Sequence, residues 1–258
     1  MAWVEIGSTD VYYVEEGEGQ PIVFLHGMSS CAEAWWQQFD RFGDRFRCIA
    51  YDSVNHGHSS NSPRDDPEPD RADELEAFLS ALGIERPILA GNSMGALTLI
   101  RWACRHPDDA LALVPSGMGV MEPGTARRRF EPIDPEVLFL PIGDSLTDGF
   151  KHEQPRMYER YLRIRSTATR LEAMRHLRRF TMDGPSRDEL ADAVTKIASP
   201  MQIVCGSLDR LRPACERLHE LVPHSALQVI NGAPHNVYYE AAGPYNDTVD
   251  AFLSGVRV

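Results

Sequence analysis

"RPILAGNSMGALTLIRWACRHP", residues 86–107, sets a short apolar run against a helical pattern, with Gly-Asn-Ser-Met-Gly at the seam. A run such as "PILAG" suits a strand buried on both faces of a parallel sheet. "MGALTLIRWACRH" is predicted to be a helix, and Pro107 ends it because the residue before a proline is pushed out of the α region. So abrupt a change from strand to helix needs small residues beside the serine. It lifts the Ser93 hydroxyl above the edge of the sheet. The helix then points its N-terminus at that hydroxyl, which favours negative charge developing there. A phosphate loop would want a lysine or more glycines after the strand, and this stretch has neither.

The same alternation extends in both directions. Upstream, "VEIGSTDVYYVEEGEGQ" alternates apolar and polar residues and is predicted to be a strand pair with Gly-rich turns. "PIVFL" at 21–25 and "RCIAYD" at 47–52 are further strands. "CAEAWWQQFDRF" and the stretch carrying Leu75, Phe78, Leu79 and Leu82 are amphipathic helices. Downstream come strands at "ALALVPSG", "PMQIVCG" and "ALQVI", with helices at "ACERLHELV" and "GPYNDTVDAFLSGV". Strand and helix in turn indicate a parallel sheet with helices on both faces.

The rhythm breaks between Glu122 and Ser186. That stretch holds a Pro-rich part and a helical pattern with Met157, Tyr161, Ile164, Ala168, Leu171, Met174 and Leu177 at spacings of three and four. It carries 12 of the 26 Lys and Arg but only 10 of the 38 Asp and Glu. We read 122–186 as an inserted helical lid between two parts of one core, 1–121 and 187–258.

A serine hydroxyl is a weak nucleophile at neutral pH and needs a base. His235, in "INGAPHNVYYE" between the last strand and the last helix, is the candidate. A carboxylate must hold that imidazole in tautomer and orientation. Asp209 follows a strand in "VCGSLDRLRP" and is preferred over Glu122 for this role. An oxyanion would need two backbone N–H donors. Met94, immediately after the serine, and Met28, in the loop after "PIVFLHG", are placed to supply them.

These residues carry a family resemblance. His26-Gly27, "DSVNHGHS" at 52–59, the Gly-Asn-Ser-Met-Gly turn, Gly-Ser-Leu-Asp at 206–209 and His235 together resemble the α/β-hydrolase superfamily over essentially the whole chain. The resemblance implies an eight-stranded, mostly parallel sheet, a lid after the sixth strand and no required cofactor. The serine-centred turn is similar to that of meta-cleavage-product C–C hydrolases, whereas the Asn-His-Gly segment is similar to that of small carboxylesterases. The chain has "HGMSSC" where the C–C hydrolases carry Gly-Pro-Gly, and Asn236 where they tend to place Trp. Esters, thioesters, lactones and vinylogous diketones therefore all stay open as substrates, as does a slow-turnover ligand receptor. Dehalogenases and epoxide hydrolases of the superfamily would put aspartate at position 93.

His26, Trp35, Phe130, Phe139 and Tyr158 are candidates for substrate contact. The aromatic ones would serve equally to pack the lid, and His26 reads as an oriented loop histidine more than as a second base. His56 and His58 near Asp52 read as a structural turn, with no metal expected. Arg156, Arg160, Arg163 and Arg170 fall off the apolar face of the lid helix and read as solvated.

The resemblance implies a small-molecule substrate, and composition argues against other partners. A net charge of -12 repels phosphate backbones, which excludes nucleic acid. No apolar run reaches the roughly 18 residues of a membrane span. The five cysteines are odd in number and lack a Cys-x-x-Cys, against a disulfide framework or zinc site. With no basic or apolar leader at "MAWVEIGSTD", a cytoplasmic protein is expected, as monomer or homodimer.

Overall fold

A computed structural model describes residues 1–61, 70–122, 145–168 and 187–256. Eight strands form one sheet in the order β1-β2-β4-β3-β5-β6-β7-β8. They are β1 (Ala2–Ile6), β2 (Thr9–Glu16), β3 (Pro21–Leu25), β4 (Arg47–Tyr51), β5 (Ile88–Asn92), β6 (Ala112–Ser116), β7 (Gln202–Gly206) and β8 (Ala226–Ile230). β1 pairs antiparallel with β2 and β2 with β4; every other pairing is parallel. β3 is central, with Ile22 opposite Cys48 on one side and Ile88 on the other.

The apolar runs divide between two cores because successive side chains leave a strand on opposite faces. Ile22 and Phe24 of β3 join one core, Val23 and Leu25 the other; Cys48 and Ala50 of β4 separate likewise from Ile49 and Tyr51. The first core is closed by α1 (Trp36–Phe42), through Phe39 and Phe42, and by the last helix, α9 (Ala242–Gly255), through Tyr245, Val249 and Leu253. The second is closed by four helices: α2 (Arg71–Ala81), α3 (Met94–Arg105), α6 (Arg187–Val194) and α7 (Arg212–Leu221). Each fully buried large apolar side chain contributes about 1.5–3 kcal/mol. All five cysteines are free, and burial pushes the Cys48 thiol up to about 12, as for a small hydrophobe.

Local chemistry sets the element ends. Asp70 caps α2 by accepting from Ala72 N at 2.7 Å, a contact worth about 1 kcal/mol. The helix expected over "CAEAWWQQFDRF" divides into a 3₁₀ turn, Ala32–Trp35, followed by α1. Between β6 and β7, α4 (Asp148–Glu153) and α5 (Pro155–Ala168) are tied to the chain after β8. Thr147 N donates to Glu240 Oε2 at 2.7 Å, Asn236 N to Ser145 O at 3.1 Å, and Tyr239 Oη to Met157 O at 3.0 Å. These contacts hold α5 against α8 (Val237–Glu240) and make it a wall of the site described next. Among the described residues no helix is long and apolar enough to cross a membrane.

Candidate active site

Ser93 stands between β5 and α3 with φ 54° and ψ -109°. That is a left-handed backbone for a residue with a Cβ, and such strain persists only where the surroundings enforce it. Here Ser93 N donates to Ser116 O of β6 at 2.8 Å, fixing the turn to the sheet. The α3 backbone crosses β3 so closely that a Cβ on Gly95 would lie 2.1 Å from Leu25 O. No other residue type fits there. The strain and the close crossing together present Ser93, half-buried, to a cavity of about 230 Å³.

His235 lines the same cavity. Its Nδ1 donates to Asp209 Oδ2 at 2.9 Å, while Asp209 Oδ1 accepts from Leu211 N at 2.8 Å. The Asp209 side chain is fully buried and both its oxygens are used. With Nδ1 donating to the carboxylate, Nε2 is the ring nitrogen that can accept a proton whenever the imidazole is neutral. Gly117, at φ +61°, lies against the ring: a Cβ there would sit 3.1 Å from His235 Cε1.

Met28 and Met94 also line the cavity. Met94 is the first residue of α3, so its N–H has no partner within the helix. Met28 is the second residue of a turn closed by Ser30 N donating to Gly27 O at 3.2 Å, which leaves the Met28 N–H unused by the turn. The structure thus brings Ser93, His235, Met28 and Met94 to one cavity, with Asp209 behind the imidazole.

The expected substrate contacts fare differently. His26 is 1% exposed; its Nδ1 donates to Gly27 O at 2.7 Å and its Nε2 accepts from Ser53 N at 3.0 Å. Burial lowers its pKa to about 4, so it is a neutral brace between two loops and not a contact to substrate. Trp35 is also corrected: it is fully buried, its ring 4.1 Å from that of Tyr238, and it supports the cavity wall from behind. Tyr158 packs against the first core outside the cavity lining. Phe130 and Phe139 lie outside the described residues. Arg156 and Arg163 are exposed, and Arg160 lies over the Trp36 ring at 4.1 Å. Glu122 pairs with Arg217 at 3.1 Å and is not among the residues that line the cavity.

Other lining residues were not put forward as site residues from sequence: Ser145, Tyr161, Arg165, Arg210, Asn236 and Tyr238. Arg165 lies four residues after Tyr161 on the face already marked by apolar spacing, which was the available signal. Asn236 bridges parts of the site. Its Oδ1 accepts from Asn92 Nδ2 at 3.1 Å, and its Nδ2 donates to Tyr161 Oη at 2.7 Å.

A strained serine at a strand-to-helix turn, in a sheet of this strand order, marks an α/β hydrolase. The chain belongs to that family: the sequence profile of the alpha/beta hydrolase fold matches residues 20–242. A "putative non-heme haloperoxidase" of Mycobacterium phage D29 is 39% identical over 99 residues, which are 38% of this chain and 36% of the relative. That alignment therefore spans little over a third of the relative's length. A "2-(acetamidomethylene)succinate hydrolase" of Mesorhizobium japonicum is 26% identical over 250 residues, 91% of this chain and 88% of the relative. Among solved structures, an N-acyl homoserine lactone degrading enzyme superposes with a TM-score of 0.79 at 24% identity, over 97% of this chain and all of the other.

Proposed function

We propose that the protein is a serine hydrolase of small esters, thioesters or lactones, acting through an acyl-enzyme on Ser93. The observation that supports this most is the Asp209–His235 hydrogen bond of 2.9 Å beside a cavity that also exposes the strained Ser93. His235 Nε2 takes the Ser93 proton as Oγ attacks the carbonyl carbon, and Asp209 stays ionised to stabilise the imidazolium. The Met28 and Met94 N–H groups receive the developing oxyanion, each worth about 3 kcal/mol in the transition state. His235 then protonates the departing oxygen or sulfur. A water deprotonated by His235 attacks the acyl carbon, and Ser93 leaves with the proton returned. A cavity of about 230 Å³ is smaller than the roughly 300–1,000 Å³ of drug-sized sites, which favours a compact substrate. The lactone-degrading neighbour and the succinate-derivative relative are consistent with that size of substrate. We place the reaction in the cytoplasm, without cofactor, and read α4 and α5 as part of a lid.

A second reading keeps the same residues and cleaves a carbon–carbon bond in a vinylogous diketone. It is favoured by Arg165 in the cavity wall, where a dienoate carboxylate would need a cation. Turnover of a p-nitrophenyl acyl series and a lactone series, against bleaching of a chromophoric dienoate diketone, separates the two. Faster turnover of the acyl compounds is expected, and bleaching faster than any ester would overturn the first reading.

A further inference from the structure

Asn236 follows His235 directly in the chain, and Asn92 directly precedes Ser93. Their side-chain amides meet: Asn92 Nδ2 donates to Asn236 Oδ1 at 3.1 Å. Asn236 Nδ2 donates in turn to Tyr161 Oη on α5 at 2.7 Å, and its backbone N–H to Ser145 O at 3.1 Å. Asn92 Oδ1 meets Ser116 Oγ of β6 at 3.2 Å. A run of neutral hydrogen bonds therefore starts on the sheet, passes beside the serine and the histidine, and ends on α5. Asn92, Asn236 and Tyr161 are 1%, 8% and 2% exposed.

Burying two amides costs free energy unless each is hydrogen-bonded, and apolar side chains of the same size would avoid that cost. What the amides add is direction. An apolar contact lets two loops slide past each other, whereas a hydrogen bond fixes distance and angle. The His235 ring needs such fixing. Among the described residues its side chain makes one hydrogen bond, from Nδ1 to Asp209 Oδ2 at 2.9 Å. That bond sets the tautomer but leaves the approach of Nε2 to Ser93 to the loop that carries the ring. Gly117, which supplies no side chain, lies against both the ring and the Asn92 amide. The hydrogen bonds of Asn236 are what join the histidine loop to the serine turn.

Resting on the hydrolase reading above, we propose that Asn236 is a positioning residue for the reaction: through Asn92 it holds the His235 imidazole within reach of Ser93. Tyr161 extends the same hold to α5, so the docking of that helix and the alignment of the base are set together. Asn236 transfers no proton itself and acts through the residue before it. A displacement of about 1 Å between a base and its nucleophile costs about 100-fold in rate, so a tie between their chain neighbours bears directly on turnover.

The test is a double-substitution cycle on p-nitrophenyl acetate turnover, with kcat taken per folded molecule. Asn236→Leu and Asn92→Leu keep the side-chain volume and cut the amide pair. Each is expected to lower kcat by about 10- to 100-fold with KM within about twofold. The double variant is expected to be no slower than the slower single one, because both cut the same tie. Tyr161→Phe, which cuts only the α5 end, is expected to lower kcat severalfold. A second readout needs no turnover: the low-field proton resonance of His235 Nδ1–H, assigned by its loss in His235→Ala. It is expected to shift or broaden in Asn92→Leu, although Asn92 makes no hydrogen bond to His235. Losses that multiply in the double variant, or that fall on KM or on the folded fraction alone, overturn the inference. So does an Asn236→Leu enzyme with kcat within about twofold of wild type. If wild type turns over no ester, the hydrolase reading fails, and the resonance still decides whether Asn92 and Asn236 position the ring.

Discussion

Two aspartates stand after strands in this molecule with histidines close by, and their surroundings send them to different work. Asp52, after β4, accepts from Ala32 N at 2.7 Å through one oxygen and from His58 N at 2.8 Å through the other. Two of the histidines around it face inward: both ring nitrogens of His26 meet backbone, and His56 Nδ1 meets Val54 O at 3.2 Å, while His58 is exposed and meets Asp52 through its backbone N–H. Asp209, after β7, gives one oxygen to backbone and the other to an imidazole, and that imidazole lines the cavity. A carboxylate satisfied by backbone donors stabilises a turn. One that orients a ring lining a cavity is, in the proposed mechanism, what prepares a base. Residue type and proximity do not distinguish the two; the destination of each hydrogen bond does.

The sharpest way to break this contrast is to make the same substitution at both sites. Asp209→Asn is expected to lower kcat by about 10⁴-fold, since the amide favours the wrong imidazole tautomer, with the fold intact. Asp52→Asn is expected to leave kcat of the folded enzyme within a fewfold. It should cost about 1–3 kcal/mol of stability in denaturant unfolding, because an amide nitrogen would face a backbone N–H. If the two variants lose activity equally per folded molecule, the distinction fails.

A smaller effect sharpens the inward-facing half. His26 titrates near 4 when folded and near 6.5 when unfolded, so acid favours the unfolded chain. Its contribution is present above pH 6.5 and is lost as pH falls from there to about 4, amounting to roughly 3 kcal/mol. His26→Gln is expected to flatten that part of the stability–pH curve measured by urea unfolding. An unchanged slope would show that His26 is not the brace described.

How much of this was legible in the sequence follows the same division. The strands were legible because "PIVFL", "RCIAYD" and "PILAG" are apolar on both faces, and only a sheet covered on both sides uses them so. Ser93 stood out because glycines flank it at the change of period. Asp209 and His235 stood out because each follows a strand in the right order. Side-chain direction was not legible. His26 and Trp35 sit beside the loop that carries Met28, yet one turns toward Ser53 and the other under Tyr238. Arg165 was missed for the opposite reason, since a charged residue on an otherwise apolar helix face reads as a boundary of that face until a cavity is seen behind it.

The central claim is that Ser93, activated by His235, forms the covalent intermediate. Treating the protein with a fluorophosphonate and mapping the adduct by mass spectrometry addresses it directly. A single adduct on Ser93 is expected in wild type, slowed by several orders of magnitude in His235→Ala and absent from Ser93→Ala. Ester turnover that persists in Ser93→Ala, or an adduct that forms on another residue, would contradict the account.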